Sequence, residues 1–186
     1  MKPPELIRLE EIVLRRLRPE DAQVTLKAVN ENLEHLRPWM PWASGEPRAL
    51  AQQLEWLESV GRAWEDDREY AYGVFGPDGV SELYGGFGLH RRVGPEAIEI
   101  GYWLAARHTG KGYARAAARA LTEAALALPG IRRVEIHCDE ANLRSAAVPK
   151  ALGYRLDRIE EDGVQAPAET GRGMVWIYEQ PDPASG

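Results

Sequence analysis

Two stretches carry residue types and spacings that could do chemistry. In the first, Arg107-His108-Thr109-Gly110-Lys111-Gly112 separates the apolar run Ile98–Leu104 from an alanine-rich run that opens Tyr113-Ala114-Arg115. A strand, a glycine turn and a helix in that order expose backbone N–H groups at a helix N-terminus, where a phosphate can sit. Arg107, with Lys111 or Arg115, would add charge. Lys111 is followed by Gly112 rather than Ser or Thr, so this is not a Walker A loop. The elements before it are an antiparallel meander, so it is not a dinucleotide fingerprint either. The remaining ligand is a pyrophosphate held by backbone amides. The second stretch lies further on, as Asn142-Leu143-Arg144-Ser145 and Leu152-Gly153-Tyr154.

These stretches need a scaffold. Ile12–Leu17 reads as a strand beginning near Leu9. Pro19-Glu20-Asp21 opens a helix, with Ala22, Leu26, Val29, Leu33 and Leu36 as its apolar stripe and Pro38 as its stop. Arg37-Pro38-Trp39-Met40-Pro41-Trp42 is a stiff aromatic loop, either a hydrophobic plug or a pocket wall built on Trp39 and Trp42. Pro47 opens a second helix through Leu50, Leu54, Leu57, Gly61 and Trp64. Tyr70–Phe75 and Leu83–Leu89 are strands joined by the turn Gly76-Pro77-Asp78-Gly79. Ala97–Ala105 completes the meander. A helix over Tyr113–Leu128, a strand over Arg133–Cys138, a short helix over Asn142–Leu152 and a strand over Tyr154–Ile159 follow. A polar loop, Glu160–Arg172, leads to a last strand, Met174–Glu179. Residues 1–8 and 181–186 read as flexible tails. The pattern predicts a single α+β domain: a mixed, mostly antiparallel sheet of six to seven strands flanked by about four helices.

Composition narrows the functions available. The net charge of −6 argues against nucleic-acid binding and suits amine-bearing substrates. No apolar run approaches the roughly 20 residues that span a bilayer, which excludes a membrane role. No secretory signal is visible, and the single cysteine, Cys138, leaves no internal disulfide; both point to the cytoplasm. His35, His90 and His108 show no metal-ligand spacing, so no metal is expected.

At these motifs the chain resembles the GCN5-related N-acetyltransferase superfamily, most closely its ribosomal-protein N-terminal acetyltransferase branch. Arg107 through Ala114 matches the superfamily's pyrophosphate motif, Gln/Arg-x-x-Gly-x-Gly/Ala. Asn142-x-x-Ser145 with Leu152-Gly153-Tyr154 matches its second cofactor segment, and Leu36 through Trp42 matches a signature of that branch. The resemblance implies acetyl-CoA as co-substrate, lying in a cleft where two neighbouring strands part. It implies that amides of Gly110, Lys111, Gly112, Tyr113 and Ala114 hold the pyrophosphate. It also implies that the backbone of Trp103, Leu104 and Ala105 pairs with the pantetheine arm, and that Asn142 holds the arm near the thioester.

The chemistry so implied is direct acyl transfer to an amine, which needs a base for the amine proton and a donor for the departing sulfur. The superfamily's usual tyrosine acid has no counterpart here, because Pro149 stands in its place. Ser145, matching the serine of the ribosomal branch, is the candidate donor; a helix-capping role is its alternative. Glu99 is the candidate base, since it shares a strand face with Gly101 and Trp103. Glu160 and Glu161 compete, as acceptor-side carboxylates of the ribosomal type, and His137 is a weaker candidate. The acceptor could be a protein N-terminus or a small amine such as an aminoglycoside, polyamine or amino acid. The sequence leaves open a homodimer, another acyl donor such as succinyl-CoA, and a non-catalytic acyl-CoA-binding module.

Overall fold

The computed structural model describes residues 1–180. Its strands are β1 (Leu6–Arg8), β2 (Val13–Arg16), β3 (Glu69–Phe75), β4 (Leu83–His90), β5 (Ala97–Leu104), β6 (Arg133–Asp139), β7 (Arg155–Glu161) and β8 (Arg172–Glu179). Its helices are α1 (Ala22–Asn30), α2 (Leu33–Leu36), α3 (Leu50–Glu65), α4 (Tyr113–Leu126) and α5 (Leu143–Ala151). The strands form one sheet in the order β1-β2-β3-β4-β5-β6-β8-β7, antiparallel throughout except for β5 beside β6. The predicted fold class holds. Residues 181–186, expected as a tail, lie outside the described residues.

Two counts differ from expectation, each for a physical reason. The sheet has eight strands because residues 1–8 do not end in a tail: Leu6–Arg8 turns back through Leu9 and pairs with β2. The Tyr72 hydroxyl secures that hairpin by donating to the Pro4 carbonyl at 2.8 Å. Three residues are too few for alternation to show. The expected first helix divides into α1 and α2 at Asn32, whose backbone leaves helical geometry at φ −117°. The Asn32 side chain donates to the Ala28 carbonyl and accepts the Ala106 N–H, both at 2.8 Å. A tertiary bond therefore overrides the helical stripe.

Sequence alternation gives the sheet two unlike faces. On one, Tyr70, Tyr72, Val74, Phe87, Leu89, Ile98, Ile100, Val134 and Ile136 are buried in one cluster with Ala117, Ala118, Leu121 and Ala125 of α4. Alanines let that helix lie close, and each large side chain so buried contributes about 1.5–3 kcal/mol. On the other face, Gly73 stands opposite Gly86, and Gly88 opposite Gly101. This floor is bare. α1 and α3 cover only one end of it, where Leu17, Ala22, Ala28, Leu57, Phe75 and Leu83 pack together. What remains uncovered is a cleft. No helix among the described residues is long and apolar enough to cross a membrane.

Candidate active site

The cleft begins where the sheet divides. β5 and β6 pair only through Ala97, Ile98 and Glu99 against Arg133, Val134 and Glu135, and then part. The opening joins a cavity of about 670 Å³ on the glycine face. Tyr102, Cys138, Asn142 and Ser145 line it at the parting, with Gly88, Gly101, His90 and His137 on the floor. Trp39, Trp42, Trp56 and Arg48 line its far side.

On the strand leading to the glycine turn, hydrogen bonding fixes which backbone groups face the gap. The Ala105 N–H donates to the Tyr84 carbonyl at 2.8 Å, and Trp103 pairs with Gly86. Backbone direction alternates along a strand, so Trp103 and Ala105 spend their polar groups on β4. Tyr102 and Leu104 direct theirs towards the gap. Of the three residues expected to meet an extended ligand arm, the geometry thus favours Leu104 and substitutes Tyr102 for its neighbours.

The turn itself is built for an anion. Gly112 is the N-cap of α4 with φ +84°, and Gly110 has φ +75°, backbone that disfavours other residues. No cap side chain bonds to the helix N-terminus, and the space before both glycines is open. The amides from Lys111 to Ala114 are therefore presented where a pyrophosphate would fit. Arg107 is less available than expected, because it is ion-paired with Glu82 at 2.5 Å. His108 also bonds Glu82, at 2.6 Å, and stacks on Tyr84 with ring centroids 3.7 Å apart. That packing holds the loop from behind.

At the parting, Asn142 caps α5: its Oδ1 accepts the Ser145 N–H at 3.1 Å. The Ser145 hydroxyl lies 3.1 Å from the Tyr102 hydroxyl, which also donates to the Ser145 carbonyl at 3.0 Å. Burial pushes the Tyr102 phenol well above its ordinary pKa, so it stays protonated and can donate. Sequence reasoning missed Tyr102, because alternation assigns it to the core face. Only the parting of the strands brings it to Ser145. Burial also pushes the Cys138 thiol up to about 11, which keeps it from acting as a nucleophile.

Glu99 does not line the cavity. It is 6% exposed, and Arg92 grips both its oxygens, at 2.6 and 2.7 Å. Burial would raise its pKa, but the bonds and charge of Arg92 outweigh this, aided by His137 and His90, and lower it. A carboxylate held ionised by two bonds is a poor proton acceptor. Above it lies His90, whose Nε2 sits where side chains on Gly88 and Gly101 would stand, at 2.5 and 3.3 Å. Its Nδ1 is 3.6 Å from Glu69, whose carboxyl His90 helps hold below the usual range. His137 is tied to buried Glu135 at 2.6 Å.

Glu160 and Glu161 lie on the exposed edge strand β7, away from the cavity lining; Glu160 is bonded to Arg158. The β7–β8 hairpin runs two residues further than expected and carries them off. The carboxylate that this loop sends to the cleft is Glu169. Trp39 and Trp42 do line the cleft, with Trp42 edge-on to Trp103 at 6.0 Å. The two loops converge there, since the Ala168 N–H donates to the Pro38 carbonyl at 3.0 Å. Among the described residues no group of three or more His, Cys, Asp or Glu could hold a metal ion.

Comparison with known proteins agrees with this geometry. Residues 11–155 match the family model of the acetyltransferase (GNAT) domain. A putative ribosomal N-acetyltransferase of Bacillus subtilis, YdaF, is 31% identical over 157 residues, 83% of this chain and 84% of the relative. Among solved structures, RimL, a ribosomal L7/L12 alpha-N-protein acetyltransferase in complex with coenzyme A, superposes with a TM-score of 0.85 at 18% identity. That match covers 94% of this chain and 98% of RimL. Mycobacterium smegmatis RimJ in complex with CoA-disulfide gives 0.85 at 20% identity, covering 96% and 90%. The structural likenesses show the fold. The family match and the relative add what the glycine turn and the parted strands imply: the chain belongs to the GNAT acetyltransferase family and is an acetyl-CoA-dependent N-acetyltransferase.

Proposed function

We propose that the protein acetylates the α-amine at the N-terminus of a protein, by direct attack of the amine on the thioester of acetyl-CoA. The observation that carries this reading is the passage between β5 and β6. β5 leads from that passage to the amide-lined turn, and the passage opens onto the glycine-floored cleft, so the two substrates can meet there. The ribosomal relative supports a protein N-terminus over a small amine.

When bound, acetyl-CoA supplies an acetyl group already activated as a thioester. The chain's residues do the rest. Amides from Gly110 to Ala114 hold the pyrophosphate, with Lys111 adding charge. Backbone groups of Tyr102 and Leu104 align the arm, and Asn142 sets the start of α5 against it. Tyr102 and Ser145 donate to the sulfur as it leaves; Tyr102 supplies from β5 the phenol that α5, with Pro149, lacks. His90, turned by Glu69, takes the amine proton, and an imidazole is the ordinary base for the physiological range. An α-amine has a pKa near 8, so a useful fraction is already neutral there. Glu99 has a positioning role, holding Arg92 beside the floor. Trp39 and Trp42 wall the acceptor.

The test is thiol release from acetyl-CoA with a panel of amines: N-terminal peptides of ribosomal proteins, polyamines, aminoglycosides and free amino acids, with succinyl-CoA as the second donor. Turnover led by the peptides supports the reading. Turnover confined to small amines overturns the acceptor. Coenzyme binding without thiol release for any amine overturns catalysis and leaves an acyl-CoA-binding module.

A further inference from the structure

Arg48 is a cation of the cleft that the reading above does not use and that, among the described residues, forms no ion pair. It lies half-buried on the acceptor side, between Trp42 and Trp56, with its guanidinium carbon 5.2 and 5.9 Å from their ring centres. Its backbone is clamped twice: Asn30 donates to its carbonyl and accepts its N–H, both at 2.9 Å. Its guanidinium donates to the Gln53 side-chain oxygen at 3.2 Å. Gln53 is fully buried and passes the constraint on, donating to the Thr25 hydroxyl at 3.0 Å; that hydroxyl donates to the Asp21 carbonyl at 2.8 Å. A buried polar chain of this kind costs desolvation and contributes little net stability. What it does is hold one guanidinium in one place.

Among the described residues no carboxylate pairs with Arg48, and burial lowers its pKa with no acidic neighbour to offset it. The other arginine of the cleft, Arg92, is engaged by Glu99, and His90 and His137 lie beside Glu69 and Glu135. An arginine cannot discharge itself by losing its proton, so a desolvated one is a site waiting for an anion. The two tryptophan rings lie beside it, and a guanidinium presents several N–H donors in one plane, which suits a planar partner.

We propose that Arg48 receives a carboxylate carried by the acceptor, so that the substrate class is an amine bearing a nearby acidic group. A single uncommitted cation matches a single carboxylate; a phosphate dianion would call for further donors, and the acceptor wall offers none that is charged. The proposal rests on acyl transfer to an amine as the reaction. The carboxylate can come from an Asp or Glu side chain early in a peptide, or from the α-carboxylate of a small amino acid.

The experiment compares kcat/KM for acid and amide pairs. Peptides carry Asp or Asn at the second, third or fourth residue, and free amino acids are set against their amides. The wild-type enzyme is expected to prefer the acid at one position, or in the amino-acid pair, by about tenfold or more, as a charge-assisted pair allows. In Arg48→Gln the preference falls to near one, mainly through KM, and Arg48→Lys retains part of it. Equal handling of every acid and amide by the wild type overturns the proposal, as does an undiminished preference in Arg48→Gln. The wild-type arm needs no variant to fold, and thermal melts check the variants. Failure of this proposal leaves thiol release intact, whereas failure of the reaction itself abolishes it for every amine.

Discussion

Glu99→Gln separates a catalytic carboxylate from a structural one. The side chain keeps its shape and loses its charge, beneath a cleft it does not line. Charge-assisted hydrogen bonds contribute about 1.5–3 kcal/mol each. Arg92 makes two to Glu99, but its own side chain is 63% exposed, so water replaces much of what it loses. We expect a cost of about 2 kcal/mol, which in a chain of this length lowers Tm by about 4–8 °C. The pH dependence follows from the lowered pKa of Glu99. Its contribution is complete above the unfolded value of 4.5 and is lost as pH falls through the lower folded value. The gap in Tm between wild type and variant should therefore be full at pH 7 and close on acidification below pH 4.5. Scanning calorimetry across that range measures it, and thiol release at 25 °C gives kcat for the folded enzymes. Loss of a general base costs about 10²–10⁴ in rate. His90→Gln should show that loss with little change in Tm, whereas Glu99→Gln should hold kcat within about threefold. A fall of a hundredfold or more in Glu99→Gln, with Tm unmoved, would refute the reasoning and return the base to Glu99.

Tyr102→Phe and Ser145→Ala should each lower kcat by about tenfold or more while leaving the dissociation constant for coenzyme A within about threefold, because each removes a donor to the leaving sulfur; calorimetric titration beside the rate assay checks this, and an unchanged kcat removes that residue from the role. Gly112→Ala places a methyl group on backbone at φ +84°, which costs about 1–2 kcal/mol, and should weaken coenzyme A binding several-fold; unaltered affinity would take the turn out of the pyrophosphate grip. Cys138, with its pKa near 11, should be about one part in a thousand thiolate at pH 8, against about a quarter for a free thiol, so iodoacetamide should label it about two hundred times more slowly. Rapid labelling would show that the thiol is neither buried nor protonated.

The elements bounded by local punctuation were legible from residues alone. Gly112 before α4, Gly153 after α5 and the Gly76–Gly79 turn sit where their types predict. What escaped was set by distant partners. The break at Asn32 depends on Ala106, and β1 depends on β2 and on Tyr72. The site divides in the same way. The glycine turn proposed to hold the pyrophosphate is a local device, and its glycines announce it. His90 gains meaning only when strand register sets Glu69 opposite it, and Tyr102 only when β5 and β6 part. Arg48 looks like any loop arginine until the absence of a paired carboxylate among the described residues is seen in three dimensions. Glu99 is not the proposed base for the converse reason: alternation places it on the right face, but Arg92, seven residues earlier, bonds both its oxygens.

The glycine floor bears on how this enzyme can change over generations. A methyl group added at Gly86 or Gly88 would come within 2.6 Å of Trp103 or 2.5 Å of His90, whose ring atoms already occupy that space. Even alanine on this floor therefore requires a ring to shift, and His90 is the proposed base. The rim is freer: Trp39, Trp42, Arg48 and Glu169 sit on loops and at a helix entrance, where replacement costs the fold little. Lineages built on this plan should therefore diverge in acceptor choice along the rim while the floor and the glycine turn stay fixed, keeping one donor and exchanging the partners it serves.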